Sequence, residues 1–63
     1  MHPSTEALLK FFAYDHLPAH LQDVSAPICG LAKDLAVSLD GPEFTTGLRK
    51  LLEAKDCFVR AAL

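Results

Sequence analysis

The sequence predicts an all-α fold: a short N-terminal helix followed by an antiparallel two-helix hairpin, oligomeric because further copies of the chain complete its core. Three observations carry this expectation. Apolar residues recur at helical rather than strand spacing over two long segments. Turn-forming residues gather at two places only, Tyr14-Asp15-His16-Leu17-Pro18 and Asp40-Gly41-Pro42-Glu43. Finally, 51% of the 63 residues are hydrophobic, which is rich for a chain whose small core is marginal without help.

The first segment runs from about Ser4 to Phe12. Ser4 or Thr5 can cap it, Glu6 suits its first turn, and Glu6 with Lys10 makes a favourable i,i+4 pair. Leu8, Phe11 and Phe12 give it an apolar face, and at this length it must dock on something to persist. The second segment runs from about Pro18 to Leu39. Leu17, Leu21, Val24, Ile28, Leu31, Leu35 and Leu39 form one amphipathic stripe. Pro27 predicts a kink or short break within it, with Ser25 available to cap a restart. The third segment runs from about Pro42 to Ala62, with Gly41 ending the helix before it. Phe44, Leu48, Leu51, Phe58 and Ala62 form its stripe, widened by Leu52 and Val59, and Asp56 pairs with Arg60. So short a connection makes the long helices antiparallel, each roughly 30 Å long. Gly47, Ala54 and Ala61 repeat every seven residues, with Cys57 alongside. Such a seam lets a helix approach closely, whether that helix is the hairpin partner or belongs to another copy.

Residues 1–63 are read as a single domain. Two cysteines, Cys29 and Cys57, make no disulfide framework and no zinc spacing. The expectation is two reduced, buried thiols, at similar heights in the hairpin, in a cytoplasmic protein. A net charge of −2 lacks the footprint of a DNA or RNA binder. No run approaches the apolar length of a membrane span, and the N-terminus lacks the pattern of a signal peptide.

For catalysis there is no Ser-His-Asp arrangement and no glycine-rich phosphate loop, so the expectation is not an enzyme, with no cofactor. His16 and His20 are four apart, a metal-compatible spacing on a helix. Pro18 between them places His16 outside the helix, and the ordinary reading is a pair of surface histidines. Phe11 and Phe12 read as a plug closing the core. Tyr14, at the break, is the aromatic expected to stay partly exposed, where a ring can stack on a nucleobase. Lys33 lies one position past the apolar face of its helix, and Arg49, Lys50 and Lys55 cluster on the next. Lys55 falls on the apolar stripe and must snorkel or meet a partner. The bland reading of these bases is solvated charge, with Arg49 paired to Glu53.

Three stretches carry a family resemblance: Phe12-Ala13-Tyr14-Asp15-His16, Ala32-Lys33-Asp34-Leu35-Ala36 and Lys50-Leu51-Leu52-Glu53-Ala54. Their order and spacing, over about Phe12 to Ala61, resemble the small helical-hairpin proteins with which phages sequester cyclic-nucleotide signals of the bacterial CBASS and Thoeris defences. What the resemblance implies is an immune-evasion sponge in the cytosol of an infected bacterium, binding without cleaving. Family members form homo-oligomers built from dimers, often hexamers. They hold cyclic dinucleotides between subunits, and some hold cyclic trinucleotides or cyclic ADP-ribose isomers. Carried over by position, Tyr14 stacks on a base, Lys33 neutralises a phosphate and Thr45 offers a hydroxyl near a symmetry-related pocket. His16 stands beside Tyr14 in the first motif. Arg49 and Lys50 supply further positive charge, Arg49 as a compensating phosphate contact. The chain departs from the family where Gly41-Pro42-Glu43 replaces an arginine-containing turn, which counts against a cyclic-trinucleotide site. It departs again at Cys29, in place of a base, and at Cys57, in place of an aromatic. The competing expectation, from a different class, is a helical dimerisation or adaptor module whose apolar face binds a protein partner.

Overall fold

The computed structural model describes residues 2–63, and they form three helices: α1 (Pro3–Lys10), α2 (Ala19–Ser38) and α3 (Gly41–Ala61). Among the described residues there is no strand. α2 and α3 make the antiparallel hairpin, and α1 packs against both of them. The body measures 33 × 17 × 16 Å, so its long dimension is that of one helix of about twenty residues. No described helix is long and apolar enough to cross a membrane.

α1 starts one residue earlier than the sequence predicts and ends two residues sooner. Neither Ser4 nor Thr5 caps it. The cap is His2, whose Nδ1 accepts the backbone N–H of Ser4 at 3.1 Å. Thr5 is buried instead, its hydroxyl 3.1 Å from that of Thr45 on α3. Thr45 already donates its one hydroxyl proton to the carbonyl of Gly41, at 3.1 Å. Thr5 is therefore the donor of the pair, and this bond ties α1 to the first turn of α3. Below it Phe12 is fully buried among Cys29, Ala32, Phe44 and Leu48, and this cluster is the core. Phe11 does not join the plug and is 63% exposed. Glu6 and Lys10 are not paired; among the described residues the ion pair is Lys55–Asp56, at 3.3 Å.

α2 is unbroken across Pro27. Proline there removes the donor to the carbonyl of Asp23. Both residues are exposed, so water can satisfy that carbonyl and the helix continues. Ser25 therefore has no restarting helix to cap. It is completely buried, and its hydroxyl has no hydrogen-bond partner.

The inward face of α2 is Leu21, Ser25, Cys29 and Ala32, mostly small side chains that let α3 approach closely. The apolar stripe is only partly used: Leu21 is buried and Ile28 and Leu35 pack against the core cluster, while Leu31 and Leu39 stay 48% and 49% exposed.

Gly41 does not end α2. Leu39 is the C-cap, Asp40 is extended, and Gly41 has φ +90° as the first residue of α3. That left-handed value favours glycine, which explains the residue at the corner. In α3, Phe44 and Leu48 are buried and Leu51 and Leu52 are half-buried, as the stripe predicts. Phe58 departs from it at 56% exposure. Lys55 is mostly buried along its stem and meets Asp56, as its place on the stripe requires. Asp56 is thus not paired with Arg60, whose guanidinium instead donates to the sulfur of Cys57 at 3.4 Å. Cys57 is exposed and Cys29 buried, so the two free thiols do not face each other.

Candidate functional site

Docking α1 across the hairpin builds a hollow on that face. Burial of Phe12 fixes the end of α1 over α2, which brings Leu9, Lys10 and Ala13 against Cys29 and Lys33. The hollow has a volume of about 290 Å³. Its lining is almost wholly apolar, and the lysines Lys10 and Lys33 border it. Both lysines are exposed, and among the described residues neither is in an ion pair. In a chain of net charge −2, this is a local concentration of positive charge over an apolar surface. A planar base can lie on such a surface while the ammonium groups meet a phosphate.

Tyr14 directly follows Ala13, at the edge of this region. It is half-buried and packs against the core cluster. Its loop is held by a turn in which Leu17 N–H donates to the Tyr14 carbonyl at 2.9 Å. The Gln22 side-chain amide pins the loop again, donating to the Leu17 carbonyl at 2.8 Å and to the Asp15 carbonyl at 3.4 Å. His16 is exposed in the same turn. His20 is exposed as well, and among the described residues no cluster of His, Cys, Asp and Glu could hold a metal.

Thr45 and Arg49 lie elsewhere. With His2, Ser4 and Thr46 they line a cleft of about 340 Å³ between the start of α1 and the first turns of α3. Its hydroxyls are already engaged. Thr45 donates to Gly41, Thr46 donates to the Pro42 carbonyl at 3.0 Å, and the Ser4 oxygen lies 2.6 Å from His2 Nδ1. Arg49 is the group in the cleft with donors to spare, and among the described residues it has no ion pair with Glu53. Lys50 is exposed and lines neither hollow nor cleft. One protomer therefore brings Lys33 near the Tyr14 segment, and Thr45 near Arg49, but does not join the two groups.

Lys10 is the residue that sequence reasoning missed. It reads as half of an intrahelical pair with Glu6, and only the fold of α1 onto α2 shows it beside Lys33. Gln22 was missed too, since nothing in its spacing marks it as the clamp of the Tyr14 loop.

The third concavity is apolar. Leu31, Leu35 and Leu39 of the α2 side face Phe44, Leu48 and Leu51 of α3 across a groove of about 470 Å³, with Gly47 in its wall and Asp40 and Glu43 at its end. No α1 residue lines it, so it lies on the face of the hairpin that α1 leaves bare. Compared with known proteins, the chain matches no protein-family model, no curated protein and no solved structure.

Proposed function

We propose that the protein is a sponge for cyclic nucleotide second messengers, holding them between copies of the chain without cleaving them. The observation that carries this reading is the hollow at Lys10 and Lys33, floored by Leu9, Ala13 and Cys29 and flanked by the Tyr14 loop. It sets two lysines beside an apolar surface, an arrangement that composition alone does not offer. Its size also fits half of the ligand. Pockets that bury a small molecule span roughly 300–1,000 Å³, and one hollow of about 290 Å³ falls just short. Two of them related by a two-fold axis come within the range, and a cyclic dinucleotide has two bases and two phosphates with matching symmetry. Thr45 and Arg49 then serve a neighbouring copy's ligand, or none.

The test is native mass spectrometry of the protein with a panel of cyclic dinucleotides, cyclic trinucleotides and cyclic ADP-ribose isomers. The expected result is uptake of a cyclic dinucleotide at one per pair of subunits. Lys33→Ala should keep the fold, since Lys33 is exposed, while weakening binding about tenfold to a hundredfold, the range for losing a charge-assisted phosphate contact. Tyr14→Ala should weaken it by a similar factor for loss of stacking, with circular dichroism to separate this from loosening of the core. An adaptor module would tolerate both changes unless its partner uses the same surface. No uptake of any member of the panel would replace the sponge with that adaptor reading.

A further inference from the structure

We propose that the bare face of the hairpin is covered by a second copy of the chain, with the two α3 helices antiparallel and crossing at Gly47. This rests on the self-association that the sponge reading also requires, but concerns the face opposite the Lys10–Lys33 hollow.

Gly47 is the first indication. It sits inside α3 with an ordinary helical backbone, and a Cβ built there would meet nothing within 4 Å. Glycine is less favourable than alanine inside a helix, and nothing within the protomer requires it. A close approach from outside would use it, because a missing Cβ lets two helix backbones come together.

Charge selects the occupant and its direction. Glu43 and Lys50 stand four residues before and three residues after Gly47, on one edge of the groove face, and both are exposed. Phe44 and Leu51 stand three before and four after it, on the groove side. A two-fold axis through Gly47 with antiparallel helices sets Glu43 beside Lys50 of the second copy, twice, and Phe44 beside Leu51 of the second copy, twice. A parallel pairing would carry each charge to the opposite edge and set Glu43 against Phe44 of the second copy and Lys50 against its Leu51, leaving both charges unpaired on apolar surface. The leucines at 31, 35 and 39 of each copy extend the apolar floor on either side of the crossing. A stable interface takes about 800 Å² from each partner, roughly a fifth of the protomer's 4268 Å² of accessible surface. One long face of a body 33 × 17 × 16 Å is of that extent.

The experiment is sedimentation equilibrium on the full chain and its variants without nucleotide. Glu43→Lys and Lys50→Glu should each weaken dimerisation about tenfold or more, because each places two like-charge pairs at the interface. The double swap should restore it to within about threefold of the parent, since it rebuilds both pairs with reversed sign. Gly47→Leu should abolish the dimer while the protomer remains helical by circular dichroism, its added side chain meeting open space. A dissociation constant that ignores both reversals and Gly47→Leu would overturn the proposal, as would a double swap no better than the single changes. The two readings fail separately. A dimer that obeys these variants but takes up no cyclic nucleotide leaves this face standing and removes the sponge. Nucleotide uptake by an assembly indifferent to them does the reverse.

Discussion

Cys29 is sealed among Phe12, Ala32, Phe44 and Leu48, whereas Cys57 lies on the open flank of α3 beside the Arg60 guanidinium. Alkylation under native conditions should therefore modify one thiol fast and the other only at the rate of opening. Cys57→Ser should remove the fast phase and change stability by no more than about 0.5 kcal/mol. Cys29→Ser should remove the slow phase and cost roughly 1–3 kcal/mol for burying a hydroxyl in an apolar cluster. Equal rates for the two thiols would contradict this packing. The exposure of Cys57 overturns the expectation of two buried thiols, and helix geometry gives the reason. With Lys55 on the inner stripe, a residue two positions on is about 200° around the helix and must point away. The adjacent pair Phe11 and Phe12 posed the same choice, about 100° apart, with no local signal for which one the core would take. Lys10 could not be read at all, because its neighbour Lys33 is supplied by another helix.

Each helix was legible to within one or two residues at either end, because the apolar period and the Pro and Gly punctuation agree. What the pattern did not reveal was the rotation of α2. Its bulkiest side chains mark one stripe, but the buried positions also include Ser25, Cys29 and Ala32 beside it, and hydrophobicity alone ranks small residues low. The turn is a clearer case. Gly41 carries a left-handed φ of +90° and Gly30 sits in mid-helix, and a Cβ at either would meet nothing within 4 Å. Alanine at Gly30 should stabilise the fold by about 0.5–1 kcal/mol, through helix propensity. Alanine at Gly41 should destabilise it by roughly 1–2 kcal/mol, the cost of forcing a side chain into the left-handed region. Thermal melts at one fixed protein concentration compare the two, and a shift of the same sign for both would count against the turn geometry.

The protomer leaves a groove of about 470 Å³ and the exposed side chains of Leu31, Leu39 and Phe58 on one face. If a copy covers that face, the melting temperature must rise with protein concentration, since association stabilises only the folded form. A midpoint unchanged over a hundredfold dilution series through the micromolar range would mean that the groove stays open in solution. The excess of apolar residues was visible in the composition, but its location was not. It follows from α1 covering one side of the hairpin and from α2 turning its slimmest side inward. That slim side has a further effect on how the protein can change over generations. Enlarging Ala32 would press on Phe44 and Leu48 and pry the long helices apart, and trimming Leu35 would bare the same cluster from the other direction. Mutations that alter one side of this cluster must therefore be answered on the other.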